Sequence, residues 1–399
     1  MAAVNEVIKD KVEQLFPRLV EMRRQLHMYP ELSNKEFKTT RQIKKWLEES
    51  GIKTIPLTMP TGTAAEIKGR DAGGPTVAIR ADIDALPIQE ESDLPFRSKV
   101  DGVSHMCGHD VHTAIALGAA VILQEMADEL PVNVRILFQP AEEAEGGAEG
   151  MIKEGLLKGV NSIIGLHNSP ELPTGTVGVK EGFLMASVDD FWITIKGKGG
   201  HAALPEKTID PIVIGSAIVG QLQTIASRTI SAKESAVVTI GSFQAGATNN
   251  VIPDTAMLKG TVRTSNEQVR RKIAETFKRV VTNTASALGG DVEIDYQFLL
   301  PAVFNDAGVT AIVREVSETI VGKEKTVVAE PTMGGEDFSF YQQEVPGCYV
   351  WLGSGNEAKG IKEMWHHPKF MVDEEAMKIG VQLMVQSAIR LLEKSTTHD

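Results

Sequence analysis

The first half of the chain carries four short apolar runs, rich in valine and isoleucine, that are bounded by glycine, proline or aspartate. These runs are Thr63–Ile67, Thr76–Ile83, Val132–Phe138 and Ser162–Leu166. Runs this short and this apolar predict buried strands. Thr113–Met126 has helical spacing of alanine, leucine and isoleucine, so strands alternate with helices. The alternation predicts an α/β sheet that is covered by helices on both faces.

A different order of elements begins after about Met185. Strand, helix, two strands, helix and strand are predicted at Asp190–Gly197, Thr208–Thr229, Ala236–Ser242, Thr255–Thr264, Asn266–Leu288 and Asp291–Phe298. This β-α-β-β-α-β order is the ferredoxin-like split pattern. The alternation of helices and buried strands seen in the first half resumes with Thr310–Val321, Cys348–Leu352 and Glu374–Glu393. We therefore predict a large domain from residues 1–185 and 299–399, with a small domain inserted at 186–298.

Composition limits the compartment and the partners of the protein. The sequence of 399 residues has only two cysteines, Cys107 and Cys348, and no N-terminal apolar stretch that resembles a secretory signal or a membrane span. These features predict a cytoplasmic protein without a disulfide framework. The net charge of −12 argues against nucleic acid and against anionic membrane surfaces as partners, because both require a basic face.

The segment His105–Thr113 places Cys107 and His109 two residues apart, with Asp110 beside them. Thiolate and imidazole are donors that transition metals prefer, so the segment indicates a metal site. Gly108 allows an unusual backbone turn between the two side chains. Two alternatives for Cys107 remain open: a small buried hydrophobic residue and a redox-active thiol.

Two further apolar strands end in polar side chains. Glu142 and Glu143 follow the strand that ends near Phe138, where active sites of α/β proteins collect, so one could bind metal while the other activates water. Solvated surface charge is the alternative, and Glu145 is interpreted in that way. His167 ends the next strand, and a buried imidazole needs a polar partner or a metal.

Three other positions are more ambiguous. His366 and His367 precede Pro368, and since consecutive side chains of an extended segment point in opposite directions, only one should bind metal. Asp82 and Asp84 share one face at a strand end, where they could orient an imidazole or simply anchor a turn. His201 follows a glycine-rich loop and is an ordinary loop histidine unless the inserted domain closes over the metal site.

Taken together, these segments resemble the M20 metallopeptidase family, in the amidohydrolase branch of N-acyl-amino-acid hydrolases, hippurate hydrolases and auxin-conjugate hydrolases. The resemblance extends from Arg23 to Pro368 and covers nearly the whole chain. The matching motifs are Arg80–Pro87, Cys107–Asp110, Gln139–Glu143, Gly197–Ala202, Asn250–Pro253 and Gly334–Phe338. Six motifs in the same order make chance a poor explanation.

The resemblance implies a site with two divalent metal ions and Glu142 as the general base. The implied metal ligands are Cys107, His109, Glu143, His167 and His366. His366 is preferred over His367 because the ligand of the family lies two residues before the proline. Many relatives have a metal-binding histidine where this chain has Asp82, so Asp82 is left out of the ligand set. Asp84 is then a supporting residue that orients a ligand.

The resemblance also implies a three-layer αβα catalytic domain with a ferredoxin-like lid or dimerisation domain, in a homodimer or homotetramer. His201 of the inserted domain, from a partner subunit, would donate to the oxyanion of the transition state. Asn250 and Arg263 would hold the substrate, since a guanidinium suits the free carboxylate of an amino acid.

The predicted activity is metal-dependent hydrolysis of N-acyl amino acids, N-acetyl forms among them, to a carboxylate and a free amino acid. Zinc, manganese and cobalt all fit the ligands. A dipeptidase or carboxypeptidase on the same scaffold, acting on short peptides, and an N-carbamoyl amidohydrolase stay open as alternatives. A metal-binding protein without catalysis is the alternative outside enzymes, although such a protein would not need a base like Glu142.

Overall fold

A computed structural model of the chain describes residues 2–144 and 146–396, which form two compact units. The host unit comprises residues 1–182, 304–330 and 340–399, and the inserted unit comprises residues 183–303 and 331–339. The short segment 331–339 therefore groups with the inserted unit, although the sequence analysis assigned it to the large domain.

Helices and strands follow one another along the described residues in the order expected of an α/β protein with an insertion. The helices are α1 (Ala2–Met28), α2 (Phe37–Glu49), α3 (His109–Glu125), α4 (Gly147–Lys153), α5 (Pro211–Thr224), α6 (Glu267–Ala287), α7 (Ala307–Val321), α8 (Phe338–Glu344) and α9 (Ala376–Thr396). The strands are β1 (Thr54–Ile55), β2 (Thr63–Ile67), β3 (Thr76–Asp82), β4 (Asn133–Gln139), β5 (Val160–Pro173), β6 (Val177–Val179), β7 (Gly182–Met185), β8 (Ser187–Lys196), β9 (Gly200–His201), β10 (Ala236–Ala245), β11 (Val251–Ile252), β12 (Thr255–Thr264), β13 (Asp291–Leu300), β14 (Val303–Asn305), β15 (Thr326–Val328) and β16 (Gly347–Gly355).

The host unit is built on an eight-stranded mixed sheet with the order β1-β2-β4-β3-β5-β16-β6-β15. Its central strands β4, β3, β5 and β16 are parallel, and β16 lies between β5 and β6. Helices α3, α7 and α9 pack on this sheet, and α1 packs against α3 and α9. Strand β3 is buried along its whole length, as expected of a parallel strand that is covered on both faces.

The carboxyl ends of the parallel strands gather polar residues at one edge of the sheet. Asp82 ends β3 directly beside Gln139, which ends β4. His167 and Asn168 lie within the long strand β5, in register with Trp351 and Leu352 of β16. This edge is where open α/β sheets bind their ligands.

Helix α3 is preceded by a glycine that no other residue could replace without strain. Gly108 precedes α3 with φ of 93°, in the left-handed region. A Cβ atom at this position would lie 2.2 Å from Nδ2 of Asn168, so the backbone needs both the positive φ and the missing side chain. The helix consequently starts inside the predicted metal motif, at His109, four residues before the predicted start at Thr113.

The inserted unit is a four-stranded antiparallel sheet with the order β10-β12-β8-β13, packed against α5 and α6. Its sequence of elements, β8-α5-β10-β12-α6-β13, is the ferredoxin-like split pattern. Asp210 and Asn266 cap α5 and α6 by accepting backbone N–H groups at the first turn of each helix.

The predicted fold class is confirmed: a mixed α/β unit with a large central sheet carries an inserted α+β unit. The bounds of β2 and β12 agree with the predicted strands at both ends. Across the described ranges 2–144 and 146–396, no helix combines the length and the apolar content that crossing a bilayer requires.

Candidate metal centre

Five side chains proposed as ligands come together at the carboxyl edge of the host sheet. The possible ligand atoms of Cys107, His109 and His167 lie within 4.8 Å of one another. The same limit holds for the group of Cys107, Glu143 and His366, and for the group of His109, Glu142 and Glu143. Because Cys107, His109 and Glu143 are each shared between two groups, the donors surround adjacent positions rather than one point.

Hydrogen bonds fix which nitrogen each buried histidine presents to this centre. Nδ1 of His109 lies 3.1 Å from Oδ1 of Asp84, a carboxylate that can only accept from it when ionised. Nδ1 of His167 donates to the backbone oxygen of Asn168 over 2.8 Å. In both rings Nε2 is left to face the other donors, and Nε2 of His167 lies 3.3 Å from Sγ of Cys107. Such support of the far nitrogen is the usual arrangement around metal-binding histidines.

Two polar atoms at the centre are buried without a hydrogen bond, which suits a cation. They are Nε2 of His109 and Oε1 of Glu143, which lie 3.9 Å apart. Oε1 of Glu143 is also 3.3 Å from Nε2 of His366. Buried polar atoms are normally paired, and a thiol, three imidazoles and carboxylates are the donors that zinc, manganese and cobalt accept. The residues present therefore fit divalent transition-metal ions.

The electrostatics of the centre also favour a bound cation. Burial alone would lower the pKa of His109, but Asp82, Asp84 and Glu143 outweigh it and raise that pKa to about 10. Burial, with Glu143 and Glu142 nearby, raises the pKa of the Cys107 thiol well above its usual range. Without metal these groups therefore hold their protons, and metal binding must release them.

Asp82 and His112 lie beside the centre with their polar atoms already engaged. Asp82 accepts from Arg80 Nη1 and from His112 Nδ1, both over 2.7 Å. Nε2 of His112 accepts the backbone N–H of Asn168 over 3.0 Å. Although Asp82, His109 and His112 could in principle group around an ion, these bonds leave Asp82 and His112 as supports for the ends of β3 and β5. No role was predicted for His112 or Asn168 from the sequence, because their burial beside the motif becomes visible only in the fold.

His27 belongs to a buried ionic cluster next to α3. Its Nδ1 lies 2.8 Å from Oδ2 of Asp110, and Arg23 Nε lies 2.7 Å from the same oxygen. Burial alone would raise the pKa of Asp110, yet Arg23 and His27 together hold it well below its usual range. The cluster ties α1 to the first turn of α3, directly after His109.

Asn250 and His201 lie together in the inserted unit, where His201 ends β9 and Asn250 directly precedes its partner strand β11. The backbone of Ala202 donates to the carbonyl oxygen of Asn250 over 3.1 Å. Nδ1 of the exposed His201 accepts the N–H of Ala203 over 3.0 Å, so its ring proton is on Nε2. The His201 side chain can thus act as a donor.

Arg263 lies on β12 and is half-buried, paired in register with Val188 and Val237. Its Nη1 is buried without a hydrogen bond, and burial lowers its pKa. A buried guanidinium nitrogen without a partner is suited to an anionic group. Glu145, which the sequence analysis placed at the surface, lies outside the described residues.

A set of donors that fits divalent metal ions, beside a second carboxylate at the edge of an α/β sheet, is the arrangement expected of a metallohydrolase. The sequence profile of peptidase family M20/M25/M40 matches residues 78–390. An N-acetylcysteine deacetylase from Bacillus subtilis is 48% identical over 377 residues, 94% of this chain and 97% of the relative. Thermostable carboxypeptidase 1 from Saccharolobus solfataricus is 38% identical over 394 residues, 98% of this chain and 99% of the relative.

Solved structures agree with these sequence relatives. The crystal structure of the Bacillus subtilis YXEP protein, a dinuclear metal binding peptidase from the M20 family, has a TM-score of 0.86 and 45% identity to this chain, covering 96% of it and 99% of the YXEP chain. The chain belongs to peptidase family M20/M25/M40, in its amidohydrolase branch. The family resemblance stated from the sequence is thereby confirmed.

Proposed function

We propose that this protein hydrolyses N-acyl amino acids, N-acetyl forms among them, to a carboxylate and a free amino acid. Its two divalent metal ions are held by Cys107, His109, Glu143, His167 and His366. The observation that carries the proposal is the pair of buried atoms that lack a hydrogen bond, Nε2 of His109 and Oε1 of Glu143, beside the second carboxylate of Glu142. The dinuclear YXEP relative supports the number of ions.

Different residues of the chain perform different steps of the hydrolysis. Divalent ions, when bound, lower the pKa of water and polarise the scissile carbonyl. Glu142 takes the proton of the attacking water and later delivers it to the leaving amine. His201, contributed by a partner subunit, donates to the oxyanion through Nε2, and its Nδ1 bond to Ala203 supports this tautomer. Arg263 and Asn250 bind the carboxylate end of the amino acid.

The substrate, the metal, the compartment and the oligomer are assigned from separate observations. The N-acetylcysteine deacetylase relative favours an acetyl group on a small amino acid. The thiolate of Cys107 favours zinc, and manganese and cobalt suit the imidazole and carboxylate ligands. The two-cysteine composition supports a cytoplasmic location. A homodimer or homotetramer is supported by the edge strands β10 and β13 of the inserted sheet, since edge strands tend to be covered or paired.

The test is metal-reconstituted hydrolysis on a panel of substrates. The protein is stripped with chelator and reloaded with zinc, manganese or cobalt, and amine release is followed from N-acetyl, N-benzoyl and N-carbamoyl amino acids and from unblocked dipeptides. Hydrolysis of the N-acetyl or N-benzoyl compounds is expected. Silence across the panel with the metals still bound would reject the proposal in favour of a binding protein.

Peptide hydrolysis is the second candidate, because a carboxypeptidase is 38% identical over nearly the whole chain. It differs from the first in the group on the acyl side of the scissile bond, which carries a free amine in a dipeptide. Turnover of dipeptides alone in the same panel would move the assignment to a peptidase.

A further inference from the structure

We propose that Glu36, a buried residue far from the metal ligands in sequence, is the positioning residue for Glu142. Its carboxylate holds Ala141 in a left-handed backbone conformation, and this conformation aims the Glu142–Glu143 segment. The inference rests on the proposed function, in which Glu142 is the general base.

Glu36 turns its side chain away from the helix that it precedes. It is the N-cap residue of α2, and its carbonyl oxygen accepts the N–H of Thr40, but its carboxylate makes no capping bond to α2. Oε1 of Glu36 instead accepts the N–H of Ala141 over 2.8 Å and the N–H of Asn34 over 3.0 Å. Glu36 is fully buried. A buried carboxylate is costly, so a carboxylate used in this way indicates a specific task.

The two amides that Glu36 accepts belong to residues with unusual backbone angles. Ala141 has φ of 51° and Asn34 has φ of 64°. Among the described residues only His366 joins them as a non-glycine residue with positive φ. Alanine strongly disfavours this region, and such strain persists only where the surroundings enforce it. For Ala141, this constraint comes from the hydrogen bond between its N–H and Oε1 of Glu36.

Ala141 lies in the segment that leads to Glu142 and Glu143, so its backbone conformation affects where these carboxylates point. The chain leaves β4 at Gln139 and reaches the two functional carboxylates through Ala141. Two residues further on, the N–H of Glu143 donates to Oδ2 of Asp84 over 3.0 Å. Glu142 is therefore held between two anchored amides, one fixed by Glu36 and one by Asp84. Relaxation of Ala141 to a negative φ would rotate the peptide that leads into Glu142.

The test combines Glu36→Ala with Ala141→Gly, because glycine adopts positive φ without steric strain. Glu36→Ala is expected to lower kcat by about tenfold to a hundredfold with little change in KM or bound metal, as misplacement by about 1 Å can do. In the Ala141→Gly background the same substitution should cost clearly less. Glu36→Gln, which keeps the accepting oxygen, should retain most of the activity. Equal losses of kcat in both backgrounds would overturn the proposal.

Glu31→Ala is the matched control on the same segment. Oε2 of Glu31 accepts the N–H groups of Lys38 and Thr39 at the start of α2, without touching Ala141. This variant should lower stability but leave kcat and the effect of Ala141→Gly unchanged. If it lowered kcat as much as Glu36→Ala does, disturbance of α2 rather than of Ala141 would explain both variants.

A readout that is independent of turnover separates this inference from the proposed function. Amide hydrogen exchange at Ala141, measured with and without metal, should be faster in Glu36→Ala and unchanged in Glu31→Ala. Unchanged exchange at Ala141 would reject the role of Glu36 whatever the activity. Faster exchange in a protein that hydrolyses no substrate of the panel would reject the proposed function and keep the anchoring of Ala141.

Discussion

His167 donates its Nδ1 proton to the backbone oxygen of Asn168 over 2.8 Å, and the same oxygen accepts the indole N–H of Trp365 over 3.0 Å. The orientation of this imidazole is thus set by the main chain. His109 differs, because its Nδ1 bond goes to the side chain of Asp84. Two neighbouring histidines of the centre therefore depend on supports of different kinds, and only one of these supports can be removed by substitution.

Asp84→Ala is expected to weaken metal binding by about 10-fold to 100-fold, as the loss of a carboxylate behind a metal-binding histidine does. The substitution removes the partner of His109 and the acceptor of the Glu143 amide. Competition with a chelator measures the change. Trp365→Phe is the control, since it removes a donor to the Asn168 oxygen but leaves the His167 bond intact. An unaltered metal affinity in Asp84→Ala would contradict the assigned orientation of His109.

Glu142→Gln is expected to lower kcat by about 10²-fold to 10⁴-fold, the usual contribution of a general base, while metal content stays nearly constant. Glutamine keeps the size of the side chain but cannot accept the proton of water. Glu143→Gln should instead lose metal, because Oε1 of Glu143 lies among the donors. Metal analysis beside steady-state kinetics measures both. Loss of the metals in Glu142→Gln would show that Glu142 is a metal ligand and that its assignment as the general base is wrong.

Asp82→Ala is expected to destabilise the metal-free protein by about 3–5 kcal/mol, the cost of breaking a buried ion pair. Both oxygens of Asp82 are used, by Arg80 and by His112, so the substitution leaves a buried guanidinium without this carboxylate. Urea unfolding in the presence of chelator measures the change. Tyr349→Phe removes the 3.3 Å hydrogen bond from Arg80 to a neutral hydroxyl but keeps the carboxylate of Asp82, and it should cost much less.

Cys348 gives the stability of the protein a defined dependence on alkaline pH. Burial raises the pKa of its thiol to about 12 in the folded chain, compared with about 8.5 for an unfolded thiol. Between these values the unfolded state has lost the proton and the folded state keeps it, so stability is full below about pH 8.5 and falls as pH rises. From pH 8 to pH 10 the wild type should lose about 2 kcal/mol relative to Cys348→Ala. Urea unfolding at both pH values tests this, and parallel pH profiles would contradict it.

The sequence predicted those parts of the structure that depend on local pattern. The apolar runs placed β2 and β12 correctly, and the end of β4 indicated where Glu142 would lie. The prediction that His167 ends its strand was wrong, because β5 continues to Pro173. The start of α3 was missed because it depends on the left-handed Gly108 and its contact with Asn168, which no helical periodicity reveals. Glu36 was missed for the same kind of reason, since its partner Ala141 is 105 residues away in the chain.

The position of β16 between β5 and β6 sets an order of events during translation. The ribosome completes residues 183–303 while the host sheet still has a gap at its middle, because residues 347–355 have yet to be made. Domains generally fold as units as they emerge, so the inserted unit can mature first and the host sheet closes around a late strand. His366 follows that strand, and a nascent chain can therefore acquire its full set of proposed ligands only after most of both units has been made, with α9 still to follow.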